Sequence, residues 1–490
     1  MKIFKTGVNM ADNNIQNENL VKDPVDHELG RMPILELLFK MSVPMMISMF
    51  MLALYNVVDS IFVARVSEAA LSALSLAYPI QFLMISINIG TNVGMTALIS
   101  RSLGEKKFDH ANEYARHGLI LALLYTVIFA ALGILFSEKF FNTITTDPDI
   151  RKEGISYLSI ITIVSLGFFV ETTFEKMMQA TGKSIGSMIT QLSGAIFNII
   201  FDPILIFGLF GFPAMGTKGA AIATVSGQIF GMVVGYFLNK HLNNDLNIGL
   251  IKFKKVDTNI QFLNSIHIPD TSNWKINLEM IKNIYIVGLP SIAMQAIGSF
   301  TILGMNTILV KYKSAVAVLG TYYKIQSFVL MPLIGLNNGM VPIVSYNFGS
   351  HNKKRITDVI KVALVSGFIL MLIGSFIVFF GAEFILKLFN ASENMLKVGV
   401  YAFKAIAIHY PFICFNIILS SVMQATKKEI YSLIISIIRQ IVFLLPSAYI
   451  LSKLFGVNGT WYCFLISEFM AFLVTLYLFK KTYDERILTL

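Results

Sequence analysis

Residues 94–104 read GMTALISRSLG, and residues 339–349 read GMVPIVSYNFG. Their Gly, Ser and Gly positions coincide at an offset of 245 residues. A second pair, QAT at 179–181 and QAT at 424–426, recurs at the same offset. A looser third echo joins GTKG at 216–219 to GVNG at 456–459. Separated matches at one offset mark a duplicated unit. The chain carrying them has 490 residues, 55% of them hydrophobic and 14% charged. That composition suits a polytopic membrane protein rather than a soluble one.

A helix needs roughly 20 apolar residues to cross the hydrocarbon. Long apolar runs place six spans in the first half, near 41–63, 74–99, 117–137, 155–175, 187–210 and 219–239. Six more follow near 284–309, 317–342, 360–380, 399–422, 430–451 and 459–479. An even number of spans per unit makes the repeat parallel, related by an axis along the membrane normal. The expected fold is therefore an all-α polytopic membrane protein, with twelve transmembrane helices in two six-helix lobes. The expected divisions are a polar, disordered N-terminus at 1–35, an N-lobe at 36–240, a linker at 241–283, a C-lobe at 284–480 and a C-terminus at 481–490. Helical structure is expected in the linker after Trp274.

The net charge of +10 would suggest nucleic acid in a soluble protein. Here the bases fall mainly in connections between apolar runs and report topology. One side carries Arg101, Lys106, Lys107, Lys254, Lys353, Lys354, Arg355, Lys427 and Lys428; the other has fewer, including Arg65, Lys139, Lys218 and Lys311. That asymmetry predicts cytoplasmic termini and no nucleic-acid partner. Cys414 and Cys463 both lie in apolar segments, so neither a disulfide framework nor a thiolate metal site is implied.

Asp59 is the only charge in MSVPMMISMFMLALYNVVDSIFV, residues 41–63. A carboxylate at such a depth is expensive and normally faces a cavity, a partner or an ion. Asn198 and Asp202, four residues apart, share one helix face. Pro203 follows and is expected to kink or open that helix. Two carboxylates in a poorly solvated cavity repel each other, and a proton or sodium ion between them relieves the repulsion. Such a pair can bias a two-state packing. The competing reading has Asp202 ending a helix and Asp59 pairing with Arg65.

The segments YNVVDSIFVARV (55–66), ALSALSLAYPI (70–80), GTNVGMTALISRSLGEKK (90–107) and QATGKSIGSM (179–188) come in a distinctive order. NIIFDPILIFG (198–208), GTKGAAIATVSGQ (216–228) and VPIVSYNFGSHNKKR (341–355) continue it. Over roughly 35–480 the chain resembles the multidrug and toxic compound extrusion (MATE) transporters. The resemblance implies two lobes arranged as a V and a monomeric antiporter in a bacterial cytoplasmic (inner) membrane. It would export amphiphilic, often cationic small molecules against inward proton or sodium flow, amid membrane lipids and without a further cofactor. It also implies a coupling site of Asp59, Asn198, Asp202 and Thr224 able to hold H+ or Na+. Some branches carry essential carboxylates in the seventh and tenth helices, but 284–309 and 399–422 contain no Asp or Glu. Any coupling is therefore expected in the first lobe.

Other deep polar residues are candidates for the substrate cavity: Gln81, Asn88, Asn92 and Gln191 in the first lobe, and Gln295, Asn306, Asn337, Asn338, His409 and Asn416 in the second. Each competes with a helix–helix hydrogen-bonding role. His409 is either a titrating or a structural histidine. Arg439 and Glu468 either pair, or Arg439 snorkels to the membrane edge. Gly90, Gly94, Gly186 and Gly194 permit close helix approach. Abundant Phe and Met suit an adaptable apolar cavity. No catalytic constellation is present, so a membrane enzyme is disfavoured. A lipid-linked saccharide flippase, which would want a basic cavity, and an exporter of an endogenous metabolite are the alternatives.

Overall fold

The computed structural model describes residues 27–246, 253–255, 267–269, 276–312, 314–389 and 391–490. The short helix α1 (Glu28–Arg31) precedes the N-lobe helices α2 (Ile34–Ala64), α3 (Glu68–Gly104), α4 (Phe108–Ile144), α5 (Pro148–Ile163), α6 (Leu166–Ala180), α7 (Ser184–Phe207) and α8 (Thr217–Leu242). Two three-residue strands, β1 (Phe253–Lys255) and β2 (His267–Pro269), pair antiparallel in the linker with Lys254 opposite Ile268. The C-lobe comprises α9 (Leu278–Leu309), α10 (Ala315–Gly349), α11 (Lys353–Leu388), α12 (Glu393–Ala407), α13 (Tyr410–Ala425), α14 (Glu429–Ile437), α15 (Leu445–Thr460) and α16 (Cys463–Thr482). A π-helical segment, Ile438–Leu444, joins α14 to α15. Among the described residues, ten helical segments are long and apolar enough to span a membrane; counting the bent pairs α5–α6 and α12–α13 gives twelve.

The duplication reaches into helix boundaries. α6 ends at Ala180 and α13 at Ala425; α4 starts at Phe108 and α11 at Lys353. The bends of 46° and 47° fall at corresponding places, before Leu166 and before Tyr410. Asp147 caps α5 by accepting from the Asp149 and Ile150 amides at 2.9 and 3.1 Å, and Ser392 caps α12 from Met395 at 3.3 Å. Gln179 Nε2 donates to Ser187 Oγ at 3.0 Å, and its counterpart Gln424 donates to Ser432 at 2.9 Å. Even the looser echo holds in the backbone: Gly216 and Gly456 both adopt positive φ, at 55° and 65°.

The two opening motifs pack on each other where the lobes meet. The α3 backbone at Arg101 and Gly104 abuts α10 at Gly349 and Tyr346, leaving no room for a Cβ on either glycine. Gly90 meets Gly288 of α9 in the same way. Arg101, 5% exposed, donates Nη2 across the interface to the Ala425 carbonyl at 2.9 Å. α2 lies along α10, with a Cβ on Gly335 falling 2.6 Å from Met46 N.

Residues 27–35 depart from the expected disorder. Leu29 is fully buried, and its carbonyl accepts from Asn347 Nδ2 at 3.0 Å and Arg355 Nη2 at 3.2 Å. His27 stacks on Tyr346 at 4.9 Å and sits 3.7 Å from Asp245. Leu29 is the segment's one fully buried apolar side chain, beside partly buried Met32 and Ile34, and its carbonyl's donors come together only once α10 and α11 are in place. Residues 1–26 lie outside the described residues, as does most of the linker. α9 begins at Leu278, close to the expected post-Trp274 helix.

Candidate cation-coupling site

The Asp59 and Asp202 carboxyl groups lie within hydrogen-bonding reach of each other, between α2 and α7. Asp202 is fully buried and Asn198 is 2% exposed. Asn198 Nδ2 donates to Asp202 Oδ1 and to Thr224 Oγ1, each at 3.3 Å. The four-residue spacing aligns Asn198 with Asp202, and Gly227 of α8 brings Thr224 to them because its missing Cβ lets α8 close on Asn198. The four expected coupling residues therefore converge. α7 stays helical through Pro203 to Phe207, so the expected opening there does not occur.

The local accounting of donors is uneven. Asp59 Oδ1, Asp202 Oδ2 and Asn198 Oδ1 are buried without a hydrogen-bond partner among the described residues. All three are acceptors when the carboxyls are ionised, so no internal rearrangement among them supplies a donor. A shared proton would satisfy the carboxyl pair, and such oxygens are of the kind that coordinate a small hard cation. No ion pair joins Asp59 to Arg65 among the described residues, and Asp202 sits a turn inside α7.

Tyr55 and Tyr157 lie within electrostatic range of both carboxylates and were not anticipated. The Tyr55 hydroxyl is 3.5 Å from Thr224 Oγ1. Its signal was available, since Tyr55 precedes Asp59 by one helical turn. Tyr157 accepts from Gln81 Nε2 at 3.1 Å, so Gln81 supports this site. Glu171 was also missed. Its carboxyl is wedged against α7 and α8 at Gly194 and Gly231, and it makes no hydrogen bond among the described residues.

The expected cavity residues divide. Asn88 Nδ2 donates to Thr172 at 2.8 Å and Asn92 Nδ2 to Asn88 at 2.7 Å, making a ladder that ties α3 to α6. Gln191, Gln295, Asn306 and Asn338 are half-buried, and the side-chain oxygens of Gln191 and Asn337 have no hydrogen-bond partner among the described residues. His409 is a correction. It is 1% exposed at the α12–α13 bend, with Nε2 3.3 Å from the Tyr322 hydroxyl and Nδ1 bonded to the Ile406 carbonyl. Both ring nitrogens are occupied, and Phe464 and Tyr410 enclose the ring, so it holds the bend rather than lining a cavity. Asn416 donates to Glu468 Oε2 at 2.7 Å, and Arg439 Nη1 lies 3.5 Å from Glu468 Oε1, so the two charges do pair.

The MatE family model matches the sequence twice, at residues 44–204 and 290–450. The chain belongs to the MatE family. Both matched stretches fall within the lobes described above, one in each. Among curated relatives, the multidrug export protein MepA of Staphylococcus aureus is 25% identical over 91% of this chain and 94% of its own length. MepA of Staphylococcus haemolyticus is 27% identical over 87% and 89%. Among solved structures, a MOP superfamily transporter from Pyrococcus furiosus superposes with a TM-score of 0.81 at 22% identity, covering 93% of this chain and 97% of that one. An outward-facing multidrug resistance MATE transporter gives 0.81 at 23% identity, over 94% and 98%. These structures share the fold.

Proposed function

We propose that this MatE-family protein is a secondary-active exporter of amphiphilic, often cationic compounds. It sits in a bacterial cytoplasmic membrane with both termini cytoplasmic, and proton or sodium entry drives it. The similarity to the MepA proteins along nearly the whole chain supports the substrate class. One observation carries the coupling: the Asp59 and Asp202 carboxyls lie together, and one buried oxygen of each, with the Asn198 amide oxygen, has no hydrogen-bond donor among the described residues.

When the pair is ionised, like charges in a poorly solvated site repel, and α2 and α7 are pushed apart. A bound proton or sodium ion removes that repulsion and lets the helices close. α2 transmits the change, because the same helix carries Asp59 at one end and Ser42 and Met46 against α10 at the other. Ser42 and Asp59 are separated by about 25 Å of helix at 1.5 Å per residue. A rigid element of that length couples the cation site to the packing between the lobes. The cavity thus alternates between inward and outward exposure as the cation binds and leaves.

The test is dye or fluoroquinolone transport in proteoliposomes under separate proton and sodium gradients. Transport should require one of them and collapse when it is dissipated. Asp59→Asn and Asp202→Asn should each abolish gradient-driven transport while the proteins still insert and purify normally. Normal coupled export in both variants would remove Asp59 and Asp202 from the mechanism.

A further inference from the structure

A cavity of about 160 Å³ opens in the C-lobe between α9, α13 and α14, continuing onto the π-helical segment. Met294 and Ile435 give it an apolar wall, while Ser420, Ser421, Ser436 and Arg439 face it with donors. The three serine hydroxyls and the guanidinium make no hydrogen bond among the described residues. The one partner Arg439 has is Glu468, at 3.5 Å, and that carboxylate is already held by Asn416 at 2.7 Å. Arg439 therefore lines the cavity beside Gln424 and the serines, with one ion-pair contact to Glu468 and no hydrogen bond from its five N–H groups among the described residues.

The repeat makes the polarity of this place clear. At the 245-residue offset, Asn416 corresponds to Glu171 and Arg439 to Gly194. In the N-lobe this contact sets a carboxylate against a glycine, next to the oxygen-rich site. In the C-lobe an amide replaces the acid and an arginine replaces the glycine. Arg439 also lies in the π-helical stretch 438–444, a widened turn of a kind that recurs at functional sites.

We propose that this cavity is a second substrate subsite, which takes a compact carboxylate carried on an amphiphile. Arginine's planar fork matches a carboxylate, the serine hydroxyls supply the remaining donors, and the apolar wall accepts the attached ring or chain. A volume near 150 Å³ suffices for a benzene-sized group. The two lobes then read opposite charge: oxygens in the first lobe, a guanidinium in the second. The inference goes beyond export driven by the N-lobe pair, and binding alone tests it.

The probes are a zwitterionic fluoroquinolone, its ethyl ester and ethidium, a cation without a carboxylate, each titrated onto the full-length protein in nanodiscs. The unmodified protein should bind the acid more tightly than the ester. Arg439→Gln alone leaves Glu468 buried without its cation, so the informative variant is Arg439→Gln with Glu468→Gln, which keeps shape and removes both charges. It should weaken the acid by about tenfold or more, the scale of a charge-assisted fork contact, and leave ester and ethidium within about twofold. Glu468→Gln alone should hold or tighten acid binding, because the guanidinium is freed. Equal affinity for acid and ester in the unmodified protein overturns the proposal. So does equal weakening of all three probes in the double variant, or loss of acid binding in Glu468→Gln.

Discussion

Gly335→Ala should bias the whole transporter by inserting one methyl group between the lobes. Gly335 lies on α10, and a Cβ there would sit 2.6 Å from Met46 N and 2.7 Å from Met46 Cα. Ordinary contact begins at 3.4 Å, so α2 and α10 must separate locally by about 0.8 Å. The opposing atoms include backbone of a continuous helix, so a side-chain rotation does not absorb the clash. Overpacking of this kind costs about 1–3 kcal/mol. Alanine's helix propensity offsets up to about 1 kcal/mol of it. The net, up to about 2 kcal/mol, shifts a two-state population by up to roughly 30-fold. Gly320→Ala on the same helix is the matched control, since nothing lies within 4 Å of its added methyl. Spin labels on Lys107→Cys and Lys354→Cys, both exposed, would report the separation of the lobes, and the native Cys414 and Cys463 are buried. Gly335→Ala should lengthen the mean label distance and depress coupled transport, while Gly320→Ala changes neither. Indistinguishable distance distributions and transport in the two variants would refute the claim that α2–α10 packing sets the conformational balance.

Arg101→Gln should loosen the same closure. It removes a charge-assisted hydrogen bond and leaves the Ala425 carbonyl without that donor, a loss of about 1.5–3 kcal/mol, readable by the same label pair. Docking of the N-terminal segment should depend on pH. Burial holds the His27 imidazole below its ordinary 6.5; Lys183 adds to the lowering, while Asp245 and Glu28 oppose it. The undocked segment therefore takes up its proton first, so docking is strongest above about pH 6.5 and weakens as pH falls through the lower folded value. Hydrogen exchange at residues 28–32, corrected for intrinsic rates, should accelerate between pH 7.5 and 5.5, and His27→Phe should remove the pH step.

Much of the fold could be read along the chain. Each expected span overlaps a helix or a bent pair, because a span is recorded as a local run of apolar residues. The lobes were visible in two short echoes at one offset, and those echoes recur as matching caps, bends and Gln–Ser bonds. Asp59 stood out because a lone acid in an apolar run has few reasons to exist. The docking of residues 27–35 was missed: its single buried leucine carries no periodicity.

Spacing alone placed Asn198 beside Asp202, since one helical turn needs no tertiary knowledge. The sequence also separated an acid-bearing first lobe from seventh and tenth spans without acids. Tertiary structure decided the rest. It brought Asp59 to Asp202, turned Asn88 and Asn92 into a brace, enclosed His409, and set Arg439 beside Glu468 at the edge of a cavity. Those outcomes depend on how each helix is rotated and where it crosses its neighbours. Glycines such as Gly194, Gly227 and Gly335 set these crossings by what they lack, and the partner that fills each gap lies on another part of the chain.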